Sequence, residues 1–165
     1  MSERLKRAVI THSVQASLIE QCRARKPYES CGVLFGEVAN LVVRADGFAF
    51  IRNVAVHPER SFQFDPAEWI QVGCHAQKNQ RSIVGFFHSH PYGPHRPSQL
   101  DAEGQDVSAS MWIADLSRQH EALHVYGFDS GSRPRPLTQE QPEAKPSKPQ
   151  AQSSWYAIPL TVCAD

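Results

Sequence analysis

The chain has 165 residues, of which 41% are hydrophobic, and this fits one soluble globular domain with a core of useful size. Lys plus Arg and Asp plus Glu each number 17, so no basic field indicates nucleic acid and no acidic tail is present. No apolar run approaches the length of a membrane span, and the opening residues MSERLKRAVITHS lack the features of a secretory signal. We therefore expect a cytoplasmic protein without a membrane or nucleic-acid partner.

The first part of the chain alternates strand and helix patterns. Residues Arg7–Thr11 (RAVIT) predict a short strand, and Ser13 is placed to cap a helix that Pro27 ends. Runs rich in β-branched and aromatic residues, separated by glycine, then predict strands over 31–36 and 41–54.

The next part continues this alternation. Asp65 before a proline is a helix start signal, and the run SIVGFF (82–87) predicts a short, fully apolar strand. Another helix is predicted to start at Ser98, and strands are predicted over 111–116 and 122–128. Strands mixed with two or three helices indicate an α/β sandwich.

The composition changes near the C-terminus. Residues 132–154 are rich in Pro, Gln, Lys, Glu and Ser, which predicts a mobile loop or linker. The apolar run WYAIPLTV (155–162) predicts a last strand. We therefore divide the chain into a core over 1–131, a Pro-rich loop over 132–154, and a C-terminal strand within 155–165 that returns to the core.

Two histidines follow the apolar run in the sequence FFHSHPYGPHRPSQLD. Side chains on a strand alternate between faces, so His88 and His90 leave from the same face while Ser89 points to the other and is interpreted as structural. Imidazole nitrogens bind zinc at about 2.0–2.1 Å, and catalytic zinc usually has three protein ligands and one open position. Asp101 is the natural third ligand, because a carboxylate suits zinc and the intervening Pro/Gly-rich segment can turn the chain back.

The segment from Ser98 to Asp101 has two compatible interpretations. As a helix cap, the Ser98 hydroxyl accepts a backbone N–H and Asp101 lies in the first turn. As part of a site, a helix that starts at Ser98 aims both side chains back at the metal.

Hydrolysis at such a site requires a base outside the metal shell. A zinc ion with an open position lowers the pKa of water to about 7, and a carboxylate then accepts a proton and passes it to the leaving amine. Only one of the candidate glutamates, Glu29 in PYESCGVLFG, immediately precedes a strand that looks buried. The candidates are Glu20, Glu29, Glu37, Glu59 and Glu68.

This pattern resembles the JAMM (MPN-plus) signature of zinc metalloproteases, which reads Glu, a long gap, His-Ser-His-Pro, six residues, then Ser-x-x-Asp. The flanking segments PYESCGVLFGE and IRNVAVHPERSFQFDPAEW are also similar to the stand-alone prokaryotic members. The similarity runs from about Arg7 to Phe128. The matching positions are Glu29, His88, Ser89, His90, Pro91, Ser98 and Asp101.

The resemblance implies a cytidine-deaminase-like three-layer sandwich, with a mixed central sheet flanked by helices. It implies one zinc ion per chain held by His88, His90 and Asp101, with Glu29 as general acid/base and Ser98 as hydrogen-bond donor to the oxyanion. It also implies hydrolysis of a peptide or isopeptide bond after the Gly-Gly tail of a ubiquitin-like or sulfur-carrier protein. We expect that tail to lie as an extended strand against a sheet edge or the 37–60 region.

Other classes of protein fit these residues less well. A base deaminase needs H-x-E followed by P-C-x-x-C, whereas this chain has H-S-H and no CxxC. A non-catalytic MPN-type interaction module with a structural zinc is the main alternative, and His95 could supply the fourth ligand that closes such a site. Cys31, two residues after Glu29, is discounted as a nucleophile because it lies in a strand pattern with no histidine near it in sequence. The four cysteines are expected to be free thiols.

Overall fold

The computed structural model describes residues 3–97, 110–129 and 155–165. These residues form an eight-stranded mixed sheet and two helices. The helices are α1 (His12–Ala24) and α2 (Pro66–Lys78). The strands are β1 (Arg7–Thr11), β2 (Cys31–Ala39), β3 (Val42–Ile51), β4 (Ser82–His90), β5 (Ser110–Asp115), β6 (Leu123–Phe128), β7 (Trp155–Ile158) and β8 (Leu160–Cys163).

The sheet order is β7-β6-β5-β4-β2-β3-β1-β8. β2 is antiparallel to both β3 and β4, whereas β4 is parallel to β5 and β1 is parallel to β3. The predicted mixed sheet is thus confirmed.

The C-terminal segment supplies the strands at both ends of the sheet. One strand was predicted over 155–162, but the structure has two, because β7 pairs with β6 and β8 pairs with β1. Only Pro159 separates β7 from β8, although they lie at opposite ends of the strand order. The sheet therefore curves, because one continuous segment supplies the strands at both of its ends. At this junction the Tyr156 hydroxyl accepts the Leu5 N–H at 3.0 Å.

Helix α1 covers one face of the sheet. Its Leu18, Ile19 and Cys22 are buried in the largest core cluster, which includes residues of strands β1 to β7. The predicted cap was wrong, because Thr11 and not Ser13 accepts the Val14 N–H at the helix start. Ser13 instead donates its backbone N–H and its hydroxyl to the Asp165 carboxylate, at 3.1 and 2.5 Å.

Helix α2 covers the other face. Asp65 caps it as predicted, with its side chain accepting the N–H groups of Ala67 and Glu68. Ala76 of α2 packs with Phe86 in a second cluster, while the adjacent Phe87 belongs to the cluster beneath α1. Because neighbouring residues of a strand face opposite sides, the helices lie on opposite faces of the sheet. The α/β sandwich is confirmed, and its cytidine-deaminase-like detail stays a prediction.

Two sequence predictions lie outside the described residues: the helix starting at Ser98 and the Pro-rich loop over 132–154. The division of the chain at 131 and 154 stays a prediction for the same reason. All four cysteines are free thiols. Among the described helices, none is both long and apolar enough to cross a bilayer.

Gly85 in β4 offers a test of the packing around this strand, with Gly73 in α2 as its control. A Cβ on Gly85 would lie 2.7 Å from the Ser110 hydroxyl and 2.7 Å from the Trp112 ring nitrogen, and these two groups are hydrogen-bonded to each other at 2.8 Å. Gly85→Ala should therefore lower the free energy of unfolding by about 1–3 kcal/mol, as overpacking does. Gly73→Ala in α2 is the control, because nothing lies within 4 Å of its added methyl group. It should raise that free energy by about 0.8–1 kcal/mol through helix propensity.

Urea unfolding of both variants checks this prediction. Unchanged stability in Gly85→Ala would contradict the close packing of β4 against β5.

Candidate active site

The two predicted metal ligands lie together at the end of β4. His88 is 1% exposed and His90 is 7% exposed, and their Nε2 atoms are 3.0 Å apart. Two nitrogens bound to one tetrahedral zinc at about 2.0–2.1 Å would be about 3.3 Å apart, so this spacing fits a shared ion. The same spacing also suits a direct hydrogen bond between the two rings when no metal is bound.

Both imidazoles are fixed by their surroundings. The Nδ1 atom of His90 contacts the Pro94 carbonyl oxygen, which can only accept a hydrogen bond. Nδ1 therefore carries the proton, and the lone pair of the neutral ring is on Nε2, the atom that faces His88. The His88 ring stacks on Phe62, with ring centroids 4.6 Å apart and an interplanar angle of 24°. The rings are thus oriented before any ligand arrives.

Strand register places Glu29 on the same face of the sheet as the histidines. Cys31 pairs with His88 across β2 and β4, and the same antiparallel register places Glu29 opposite His90. Directly opposed residues share a face, so the carboxylate is on the same side as both imidazoles. Glu29 is 7% exposed. Its backbone N–H donates to the Pro58 carbonyl at 2.7 Å, and its own carbonyl accepts from the Asn53 side chain at 3.0 Å.

Ser89 has the structural role predicted for it. Its side chain points away from the histidine face, and its hydroxyl accepts the Ser30 N–H at 2.8 Å. Its own N–H donates to the Ser30 carbonyl at 2.9 Å. This exchange of hydrogen bonds joins the residue after Glu29 to the residue between the two histidines, so it holds the carboxylate and the imidazoles at a fixed separation.

A groove of about 540 Å³ opens beside Glu29. It combines apolar surface with charged groups of both signs, in the size range of small-ligand sites. Its lining includes Arg25, Tyr28, Glu29, Phe50, Arg52 and Pro58.

The comparison with protein families identifies the family of this chain. The model described as prokaryotic homologs of the JAB domain matches residues 11–126. That range is more than half of the chain, and it contains every predicted site residue. The chain belongs to this JAB-domain family.

Two relatives and one solved structure are also similar to this chain. A desampylase from Pyrococcus furiosus is 36% identical over 85 residues, which cover 52% of this chain and 57% of that protein. A desampylase from Haloferax volcanii is 36% identical over 78 residues, covering 47% and 54%. The matches thus span a little over half of each desampylase. The solution structure of protein DSY2949 from Desulfitobacterium hafniense has a TM-score of 0.74 at 20% identity and covers 96% of this chain and 94% of that chain, which shows a shared fold.

The remaining predicted site residues, Ser98 and Asp101, lie outside the described residues. Within 3–97, 110–129 and 155–165, no three His, Cys, Asp or Glu side chains converge as a metal site. The described part of the site therefore comprises two imidazoles at the end of β4, and strand register places the Glu29 carboxylate on their face without making it a third metal donor. Asp101 as third ligand and Ser98 as oxyanion donor stay predictions. The donor set fits zinc, because two buried nitrogen ligands converge and one of them has its tautomer fixed.

Cys31 is not equipped as a nucleophile. Its thiol donates to the Ile51 carbonyl at 3.3 Å in the interior. Burial, followed by the charge of Glu29, raises the pKa of the Cys31 thiol to about 12. The thiolate needed for attack is therefore absent near neutral pH. The structure thus agrees with the prediction that Cys31 is not the nucleophile.

His95 is directed toward β5 and β6. Its ring stacks on His124 at 4.1 Å, and its Nδ1 is 3.8 Å from the buried Asp115 carboxylate. The Tyr126 hydroxyl donates to its carbonyl oxygen at 2.8 Å. These contacts provide His95 with partners other than the two ligands on β4 and so weaken the interpretation of a closed, structural zinc site.

The residues that sequence analysis missed are brought to the site by the fold. Asn53, Pro58, Phe62 and Pro94 hold the three chemical groups in place through a side-chain amide, two carbonyls and a ring face. Their spacing along the chain carried no signal. Only the pairing of distant segments could have revealed them.

The Ser30–Ser89 contact can be tested by removing one hydroxyl. Ser89→Ala leaves the buried Ser30 N–H without its acceptor, which should lower the free energy of unfolding by about 1–3 kcal/mol. The half-buried Ser61, whose hydroxyl donates to the His57 carbonyl in an exposed hydrogen bond, serves as control, and Ser61→Ala should change stability by less than about 0.5 kcal/mol. Urea unfolding measures both. Equal, small effects would argue against the contact.

Proposed function

We propose that this JAB-domain protein is a zinc-dependent peptidase or isopeptidase. Its substrate would be the bond after the C-terminal Gly-Gly of a ubiquitin-like or sulfur-carrier protein. The observation that carries the proposal is the placement of the His88 and His90 Nε2 atoms 3.0 Å apart, with Glu29 across the strand pair on the same face. This arrangement supplies ligands and a proton carrier for hydrolysis.

The relatives support the reaction class. Both are named desampylases, enzymes that act on conjugates of a ubiquitin-like protein. Hydrolysis of such a conjugate breaks an amide bond at the carboxyl end of the modifier. We extend that class of substrate to this chain, and we place the reaction in the cytoplasm.

Each residue has one role in the proposal. His88, His90 and Asp101 would hold one zinc ion per chain, and the bound ion would supply Lewis acidity that makes solvent nucleophilic near neutral pH. Glu29 takes a proton from the attacking water and delivers it to the leaving nitrogen. Ser98 donates a hydrogen bond to the oxygen that gains charge in the transition state. The water's oxygen stays with the glycine carboxyl group, and both of its protons pass in turn through Glu29 to the leaving nitrogen, so the products are a carboxylate and an ammonium ion.

The metal site and the proton carrier are separable by mutation. Wild-type protein should contain about one zinc per chain, and His88→Ala or His90→Ala should lose most of it, because each removes one of few ligands. Glu29→Gln should keep zinc but reduce kcat by at least about 100-fold, because an amide cannot carry the proton. Elemental analysis and peptide-release kinetics measure the two properties.

The control is Glu20→Gln, which removes a carboxylate from the exposed side of α1 and should affect neither property. Full activity in Glu29→Gln would remove this residue from the mechanism. Zinc retained in both histidine variants would overturn the metal site.

The substrate proposal predicts a defined cleavage position. A small carrier protein that ends in Gly-Gly, fused to a short peptide, should be cut after the second glycine, because the tail can be bound as an extended strand without side-chain clashes. Mass spectrometry of the products identifies the bond. The same fusion with Ala-Ala in place of Gly-Gly should be cut at least about 10-fold more slowly. Comparable cleavage of unrelated unfolded proteins would instead indicate a general peptidase.

A further inference from the structure

One backbone carbonyl, that of Pro94, determines which nitrogen of His90 is available to a metal. It contacts the His90 Nδ1 atom and keeps the proton there, which leaves the Nε2 lone pair for the ion. Pro94 lies within residues 91–97, which form neither helix nor strand, and its side chain is exposed. Proline also has no backbone N–H to donate. The carbonyl is therefore held in place by the residues on either side of it.

Gly93 holds one side of this carbonyl. Its backbone N–H donates to the His90 carbonyl at 3.2 Å, and its φ of +72° lies in the left-handed region that favours glycine. A Cβ added here would lie 2.9 Å from the Ser117 hydroxyl and 3.0 Å from the buried Asp115 carboxylate. The chain thus passes closely over the end of β5 just before Pro94.

His95 holds the other side through two residues of β6. The Tyr126 hydroxyl donates to the His95 carbonyl at 2.8 Å, and the His95 ring stacks on the His124 ring with centroids 4.1 Å apart. Tyr126 is 9% exposed and packs in a small cluster with apolar side chains of β5. A buried phenol ring thus carries its polar end to the backbone next to Pro94.

Strand register places Tyr126 on the face of the sheet that carries the two histidines. Tyr126 pairs with Met111, and Met111 pairs with Phe86, which lies two residues before His88. Paired residues share a face, and so do alternate residues of one strand. The hydroxyl and the imidazoles are therefore on one side of the sheet, and the backbone of residues 94–95 connects them.

We propose that Tyr126 is a positioning residue for the metal site, which acts on His90 through the His95 backbone and the Pro94 carbonyl. The inference rests on the proposed function and deepens it, because it adds a residue that sets the metal affinity of the same site. Without the hydroxyl, the His95 carbonyl loses this donor and the Pro94 carbonyl is less restrained. The His90 ring can then carry its proton on Nε2, and in that form Nε2 has no lone pair for zinc.

The position of the His90 proton can be measured without any metal. Nitrogen-15 spectra of the histidine rings in metal-free protein at about pH 8, where imidazole is neutral, distinguish the two tautomers. The His90→Ala spectrum assigns the His90 signals. Wild-type His90 should be almost entirely in the form with the proton on Nδ1. Tyr126→Phe should increase the other form at least about 3-fold, because one hydrogen bond of ordinary strength shifts an equilibrium by that factor.

Zinc affinity is the second readout. In competition with a chelator, Tyr126→Phe should weaken zinc binding about 10-fold, because loss of an outer hydrogen-bond partner has an effect of this size. Tyr156→Phe is the matched control, since it makes the same chemical change on the other face of the sheet, where the hydroxyl accepts the Leu5 N–H. It should leave the tautomer and the zinc affinity within about 2-fold of wild type.

Urea unfolding curves verify that each variant is folded under the assay conditions. Tyr126→Met also lacks the donor and keeps an apolar side chain, so it repeats the test if Tyr126→Phe is unfolded. An unchanged tautomer or an unchanged zinc affinity in a folded Tyr126 variant, or equal changes in the Tyr156 control, would overturn the role of Tyr126. A tautomer change in protein whose wild type binds no zinc would overturn the proposed function alone.

Discussion

The antiparallel register between β2 and β4 is the constraint on which the site depends. It places Glu29 across from His90, and the two hydrogen bonds between Ser30 and Ser89 fix it at the point where the strands end. A slip of one residue would move the carboxylate to the opposite face of the sheet. The placement of these side chains is therefore set by a pairing between segments about sixty residues apart, and not by a local turn.

The register brings buried polar side chains together, and their burial costs free energy. Two imidazoles and a carboxylate at the end of an apolar strand lose hydration that packing does not replace. Natural sequences keep such groups where function requires them. Here the surrounding ring of Phe62 and the carbonyl of Pro94 restrict both imidazoles to one orientation. The site is consequently organised by the interior of the domain.

The sequence predicted the structure correctly where side-chain direction repeats over a few residues. Alternation along β4 predicted the shared face of His88 and His90, and it predicted the opposite direction of Ser89. The cap of α2 at Asp65 was local and was also predicted correctly. The cap of α1 was not, because Ser13 is engaged by Asp165 from the far end of the chain. The contact between Arg25 and the Phe50 ring was not predicted either, because only folding brings these two residues together.

The curved sheet has a consequence for the last residues of the chain. Because β7 completes one edge and β8 the other, a single short segment shields two rows of backbone hydrogen-bonding groups at once. Without it, β6 and β1 would each present an open edge, and neighbouring molecules could add to either side. The segment after Trp155 therefore pairs with both β6 and β1, and it leaves the sheet with edge strands of only four residues each, a length that limits pairing with another molecule.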